Sequence, residues 1–167
     1  MTPTESRSHT IGDHARWGAL SQRLLGQLAS VEWQLNLIVA LATGRDTGAV
    51  LRALQMVERL SVEDRTRLLD DLETPIDGLS QTTAEWLRDL VRVRNQLAHS
   101  WIVMASHDEV TFRSFFRGRH REFTITQDVM AGHMRKSAFV ARNLLWLETL
   151  VGDPRVWGEL MGFDARD

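Results

Sequence analysis

Cysteine and tyrosine are both missing from the 167 residues. Without thiols the chain has no disulfide, no cysteine nucleophile and no thiolate metal ligand, and it suits a reducing compartment. A basic excess is missing too: 20 Lys and Arg stand against 22 Asp and Glu, a net charge of -2. No global positive field advertises nucleic-acid binding, which argues against a large nucleic-acid interface but not against a small site. Lysine occurs once among the 20 cations, an arginine bias that reflects genomic base composition more than function. The first ten residues are polar and carry no signal peptide. The longest apolar run, 35–42, is interrupted by Asn36 and is far too short to span a bilayer. A cytoplasmic protein with no membrane attachment is therefore expected. Chemical signatures are scarce as well. There is no Gly-rich phosphate loop, no GxSxG and no HExxH. The six histidines include no pair at metal-ligand helical spacing, and no carboxylate pair stands out. No metal and no cofactor are expected.

What is present reads as one domain, 13–167, after a flexible N-terminal arm, 1–12. A chain of this length buries about 70% of its unfolded surface, enough for a proper core. Trp17, Leu20, Leu24, Leu28, Val31, Leu35, Ile38 and Leu41 recur at steps of 3 and 4, which predicts a helix over 13–42. A second strip, Leu25, Ala29, Trp33, Leu37 and Ala40, calls for cover on another face, from this bundle or from a second protomer. Gly44 suits a left-handed cap. Asp46 caps a second helix carrying Val50, Leu51, Leu54, Val57 and Leu60. Ser61 with Asp64 forms an approximate capping box for a short acidic helix whose charges read as a solvated face. Pro75 and Gly78 then break the chain. Thr82 or Thr83 caps a central helix. After residue 99 the residues turn β-branched and aromatic, 101–104, 110–116 and 123–125, with turns near 107–109 and 117–119. Thr126 caps a last long helix to about Val151, with Val129, Met130, Met134, Ala138, Ala141, Leu144, Leu145 and Leu147 inward. Gly152 ends it, and Asp153-Pro154 starts a short C-terminal helix. The expected architecture is mainly α: an antiparallel bundle of about five helices with a small β-hairpin or meander, about 101–125, inserted after the central helix.

The chain is organised around 91–101, the end of the central helix. Trp86, Leu90, Val93, Leu97 and Trp101 form a buried stripe, and Arg94 borders it. Asn95 and His99 are four apart and share a face, with Arg92 three before Asn95. A guanidinium, an amide and an imidazole thus gather beside an apolar surface. An Arg at a buried edge needs an anion, because leaving it unpaired costs several kcal/mol. That anion is a carboxylate of this chain, a carboxylate of a second copy, or a phosphate. Arg94 and His99, five apart, diverge by about 140° on a straight helix. They serve one site only if the helix ends near Ala98 or if two copies share the site.

The run RNQLAH, 94–99, resembles the R-x4-H signature of the HEPN superfamily, with Asn after the Arg and Ala before the His as in the common form. The segment 28–37, with Glu32 amid Val31, Trp33 and Leu35, is similar to the first helix of bacterial HEPN-like proteins. So is the order of short acidic helix, motif helix, β insertion and final helix, over about 15–150. The resemblance implies a metal-independent endoribonuclease whose motif helices meet in a homodimer to build a composite site. Arg94 would neutralise the scissile phosphate, to which its planar fork is suited. His99 would act as general acid or base, and Asn95 would orient His99 or the substrate. RNA, tRNA included, would be the partner, and the products a 2',3'-cyclic phosphate and a 5'-hydroxyl. A toxin or phage-defence role, with an antitoxin or other regulator, follows from family analogy alone. Some toxin members carry R-x4-H-x-Y, with a tyrosine modified by a nucleotidyltransferase antitoxin. Here the corresponding residue is Trp101, so control of that kind is excluded.

Two further readings come from other classes. The motif pair is structural in a non-catalytic dimerisation or RNA-binding module, or the bundle is a scaffold for a partner protein. For the hairpin, Arg113, Arg117, Arg119, His120 and Arg121 beside Phe112, Phe115 and Phe116 suit single-stranded nucleic acid, with Arg92 of the central helix a further candidate contact. The plain alternative is that arginines guard a strand edge while the phenylalanines pack on the bundle.

Overall fold

A computed structural model describes residues 11–116, 118–153 and 155–156. It is mainly α with a small antiparallel sheet. The order is α1 (Ile11–Thr43), α2 (Thr47–Val57), α3 (Val62–Asp70), α4 (Leu79–Ala98), β1 (Ser100–Ala105), β2 (Glu109–Phe116), β3 (Arg119–Thr126) and α5 (Gln127–Val151). The strands lie in the order β1-β2-β3. Five helices and an insertion over 100–126 match the expectation closely. The arm does not: its last two residues, Ile11 and Gly12, are already the first turn of α1, and the rest of it, with the end of the chain from 157, lies outside the described residues. The expected restart at Pro154 falls on a residue that is not described.

The period of the first stripe explains why α1 is the spine. Trp17, Leu24, Leu28, Val31, Leu35, Ile38 and Leu41 are all buried, with Leu20 packed beside them. They meet α5, α3, α4 and β1. The second strip splits. Leu37 and Ala40 are covered by α2, through Val50, whereas Ala29 and Trp33 stay exposed. Among the described residues α1 is the one helix long and apolar enough to cross a membrane by length and composition, a property the interrupted run 35–42 did not suggest. Its apolar stripe is committed to the core.

The caps follow the sequence in three places. Asp46 accepts from the Ala49 amide at 2.8 Å, Ser61 from Asp64 at 3.1 Å, and Thr126 from Val129 at 3.4 Å. Four expectations are corrected. Helix α4 begins earlier, at Leu79, with Gly78 in the left-handed conformation before it (φ 70°). Thr83 is therefore an interior, buried residue, donating to the Leu79 carbonyl at 2.6 Å and accepting from Asn143 of α5 at 3.1 Å. Gly44 is not left-handed; Gly78 and Gly118 are the glycines with positive φ among the described residues. Gly44 is needed for space: a Cβ there would lie 2.7 Å from the Val50 backbone nitrogen. In α5, Val129, Ala138 and Leu145 face outward, and Ser137, Val140 and Asn143 take the buried positions instead. The acidic helix α3 is only partly a solvated face, since Asp70 pairs with Arg88 of α4 at 2.6 Å.

A buried hydrogen bond helps fasten the sheet to the bundle. The Trp17 indole, wholly buried, donates to the Ser106 carbonyl in the β1–β2 turn at 2.7 Å. Phe112 and Phe123 stack across β2 and β3 and close the core from the sheet side.

Gly44→Ala is expected to destabilise the fold by about 1–3 kcal/mol, because the close neighbour is backbone and cannot swing away. Gly18→Ala, where a Cβ meets nothing within 4 Å, is expected to stabilise by about 0.5–1 kcal/mol as a helix-interior replacement. Urea unfolding of both variants checks the pair. Trp17→Phe orphans the Ser106 carbonyl and leaves a void where the larger indole packed; calorimetry should show a loss of about 2–4 kcal/mol.

Candidate functional site

The motif lies where α4 stops. Ala98 is the last helical residue, and His99 leaves helical geometry with φ -113° and ψ 23°. β1 starts at Ser100. The local cause is legible: Trp101, Ile102 and Val103 favour extended backbone, and the Ser100 hydroxyl donates back to the Leu97 carbonyl at 3.1 Å, closing the last turn. The buried stripe consequently ends at Leu97. Trp101, expected to prolong it, stands on the edge strand and is 46% exposed.

Arg94 meets an internal carboxylate. Its Nε is 3.3 Å from Glu32 Oε1, and its Nη2 donates to Glu32 Oε2 at 3.4 Å. Its Nη1 donates to the Asn95 side-chain oxygen at 2.9 Å. Glu32 is 16% exposed and Arg94 38%. These lengths exceed the 2.7–2.9 Å typical of a tight charge-assisted fork. Glu32 Oε1 has no hydrogen-bond partner of good geometry. The guanidinium is aimed by Glu32 and Asn95 and is not saturated by them. Glu32 was the missed residue of this cluster. Its signal in the sequence is isolation: it is the one ionisable residue between Arg23 and Arg45.

Asn95, Gln96 and His99 line one wall of an open groove of about 650 Å³. Ser114 and Phe115 of β2 with Arg121, Glu122 and Phe123 of β3 line the other. Asn95 and His99 are thus brought together, and Arg94 reaches the group through Asn95 and is not itself part of the groove wall. Asn95 and His99 are exposed, accessible to a ligand. Gln96, Ser114, Glu122 and Phe123 had no sequence signal as groove residues, because only the fold lays the sheet across the end of α4.

The remaining candidate cations separate. Arg92 points away toward Asp89, 3.6 Å distant. The Asp89 carboxyl is held below its usual range chiefly by the hydrogen bond that Lys136 donates at 2.8 Å. Arg113 is bound to Glu122, with Nε and Nη2 both donating to Oε1 at 2.8 and 2.5 Å. Arg119 is exposed near the β2–β3 turn, and Arg117 lies outside the described residues. Among the described residues of this set, only Arg121 joins the groove. Of the phenylalanines, Phe112 is core, as the plain alternative had it, but Phe115 is 59% exposed. No cluster of three or more metal-ligating side chains occurs among the described residues.

Neither a protein-family model, nor a curated protein, nor a solved structure matches this chain.

The Glu32–Arg94 contact is expected to behave as a half-buried ion pair. A double-mutant cycle of Glu32→Gln and Arg94→Gln, read by urea unfolding, should give a coupling of about 1 kcal/mol. A coupling near zero would mean that Arg94 is held by Asn95 alone.

Proposed function

We propose that the chain is a HEPN-type, metal-independent endoribonuclease that acts as a homodimer. The observation that carries the reading is the end of α4 at Ala98. Asn95 and His99 share one solvent-open groove there, and the Arg94 guanidinium is tethered behind them, outside the groove wall.

Within this reading the chemistry is an internal transesterification. The ribose 2'-oxygen attacks the adjacent phosphorus, the P–O5' bond breaks, and the products are a 2',3'-cyclic phosphate and a 5'-hydroxyl. A base must take the 2'-hydroxyl proton and an acid must protonate the departing 5'-oxygen. Imidazole suits both tasks near neutrality. In a composite site the His99 of each protomer takes one of the two. Arg94 supplies charge to the phosphate oxygens from its unsaturated N–H groups, and Asn95 holds the guanidinium in register. In-line attack by a nucleophile already on the substrate needs positioning and charge stabilisation above all. The exposed Ala29 and Trp33 of α1, three residues before and one after Glu32, give a second copy an apolar surface beside the motif. The toxin or phage-defence setting remains analogy with the family.

The Glu32–Arg94 ion pair favours a second reading, in which Arg94 already has its anion and the domain is a non-catalytic dimerisation or RNA-binding module. Incubation with total cellular RNA, tRNA included, in excess EDTA separates the two. The wild-type dimer is expected to cleave and leave cyclic-phosphate ends. His99→Ala should cut at least about 100-fold more slowly, the usual worth of a general acid or base. Arg94→Ala should lose a similar factor, as when a preorganised charge donor is removed. Both variants should be well folded by circular dichroism. A folded wild-type protein that leaves every RNA intact, or a monomer at micromolar concentration by light scattering, sinks the composite nuclease and leaves the module.

A further inference from the structure

The outer face of the sheet carries aromatic side chains that the core does not use. Trp101 pairs with Arg113, Arg113 with Glu122, and Phe115 with His120, which puts Trp101, Phe115, His120 and the Arg113–Glu122 pair on one face. The rings form a row across the three strands. Trp101 stands edge-on to His120 with centroids 6.2 Å apart, and His120 lies 5.2 Å from Phe115. Trp101 and Phe115 are 46% and 59% exposed, and His120 is exposed. An antiparallel sheet with one face on the core presents polar residues outward as a rule. Three aromatic rings there, in contact with one another, are a surface of a different kind.

The row meets the candidate site at Phe115. Trp101 is two residues beyond His99, and Phe115 also lines the groove that holds His99 and Arg121. We infer that the row Trp101–His120–Phe115 is a stacking platform for unpaired bases, so that the RNA engaged by this protein is single-stranded beside the reacting phosphate. The inference takes its ligand class from the ribonuclease reading and deepens it by naming the substrate's strandedness. Charge favours this occupant over an apolar partner. The face is crossed by the Arg113–Glu122 pair, and the groove edge carries Arg121, Glu122 and His99, a polar and charged frame around bare rings. Bases stack on such rings whatever their sequence, and duplex bases, already stacked, have no face to offer.

The test is binding, kept apart from cleavage. A fluorescein-labelled oligoribonucleotide with every 2'-hydroxyl methylated has no nucleophile and cannot be cut by this route. Its affinity for the full chain is measured by anisotropy, alone and annealed to its complement. Wild type should bind the single strand at least about 10-fold tighter than the duplex. Phe115→Ala and Trp101→Ala should each weaken single-strand binding by roughly 5- to 100-fold, the range seen when one stacking ring is removed. Phe115→Trp should restore it, which a merely structural loss would not. Equal affinity for strand and duplex, or Phe115→Ala binding like wild type, overturns the inference. So does a dimer that Phe115→Ala dissociates while wild type binds no RNA, since a second copy would then cover the face. The two readings fail separately. Ring-dependent single-strand binding without cleavage in EDTA defeats the nuclease and upholds the platform. Cleavage with KM unchanged in Phe115→Ala does the reverse.

Discussion

The apolar stripe of α1 is the constraint on which the rest of the molecule depends. Seven large side chains from Trp17 to Leu41 are removed from water along one 33-residue helix. Burial of such side chains is worth roughly 1.5–3 kcal/mol apiece before chain entropy is counted. α5, α3, α4 and β1 share that stripe and α2 takes its far end. The Trp17 indole extends the same logic to the sheet. A buried N–H must have an acceptor, and the acceptor is the carbonyl of Ser106 in the β1–β2 turn. The helix that builds the core thereby also fixes where the hairpin stands, and the hairpin forms half of the groove.

The helix-to-strand switch at residues 98–100 shapes the candidate site. A helix that ran on to Trp101 would turn Arg94 and His99 about 140° apart and bury the indole. By stopping at Ala98, the chain frees His99 to leave the helical path, turns Trp101 onto a strand edge, and opens the groove between α4 and the sheet. The same stop serves both the imidazole and the aromatic row, which is why the two proposals concern one continuous surface.

Glu32 ties this end of α4 back to the spine. It sits between the buried Val31 and the exposed Trp33, at the border of the α1 stripe, and a carboxylate there requires a cation. Arg94 meets that need loosely, at 3.3–3.4 Å, and turns a third nitrogen to Asn95. An arginine aimed but incompletely satisfied differs from one locked in a tight fork. It keeps donors available while its direction is set by the protein. The three residues 94, 95 and 99 are therefore not equivalent: two face the ligand space, and one is held behind them.

Much of this was legible in the sequence, for identifiable reasons. Periodicity determined the helices, because amphipathic faces must match the surface they bury. The caps at Asp46, Ser61 and Thr126 were readable because each uses a short side chain on its own backbone, a local event. The strands were readable from their β-branched and aromatic residues, and the helix stop from the same run. Other features were decided by tertiary contact alone. Gly44 is small because Val50 packs on it, Thr83 is interior because Gly78 starts the helix early, and Ser137 and Asn143 are buried because they bond Gln27 and Thr83. Which arginines face the groove depends on what each one pairs with: Glu32 on α1 for Arg94, Glu122 across the hairpin for Arg113, and Asp89 one turn back for Arg92. Local spacing places a side chain on a face of its own element. Only packing decides what stands opposite that face, and with it whether a charge is spent within the fold or left for a ligand.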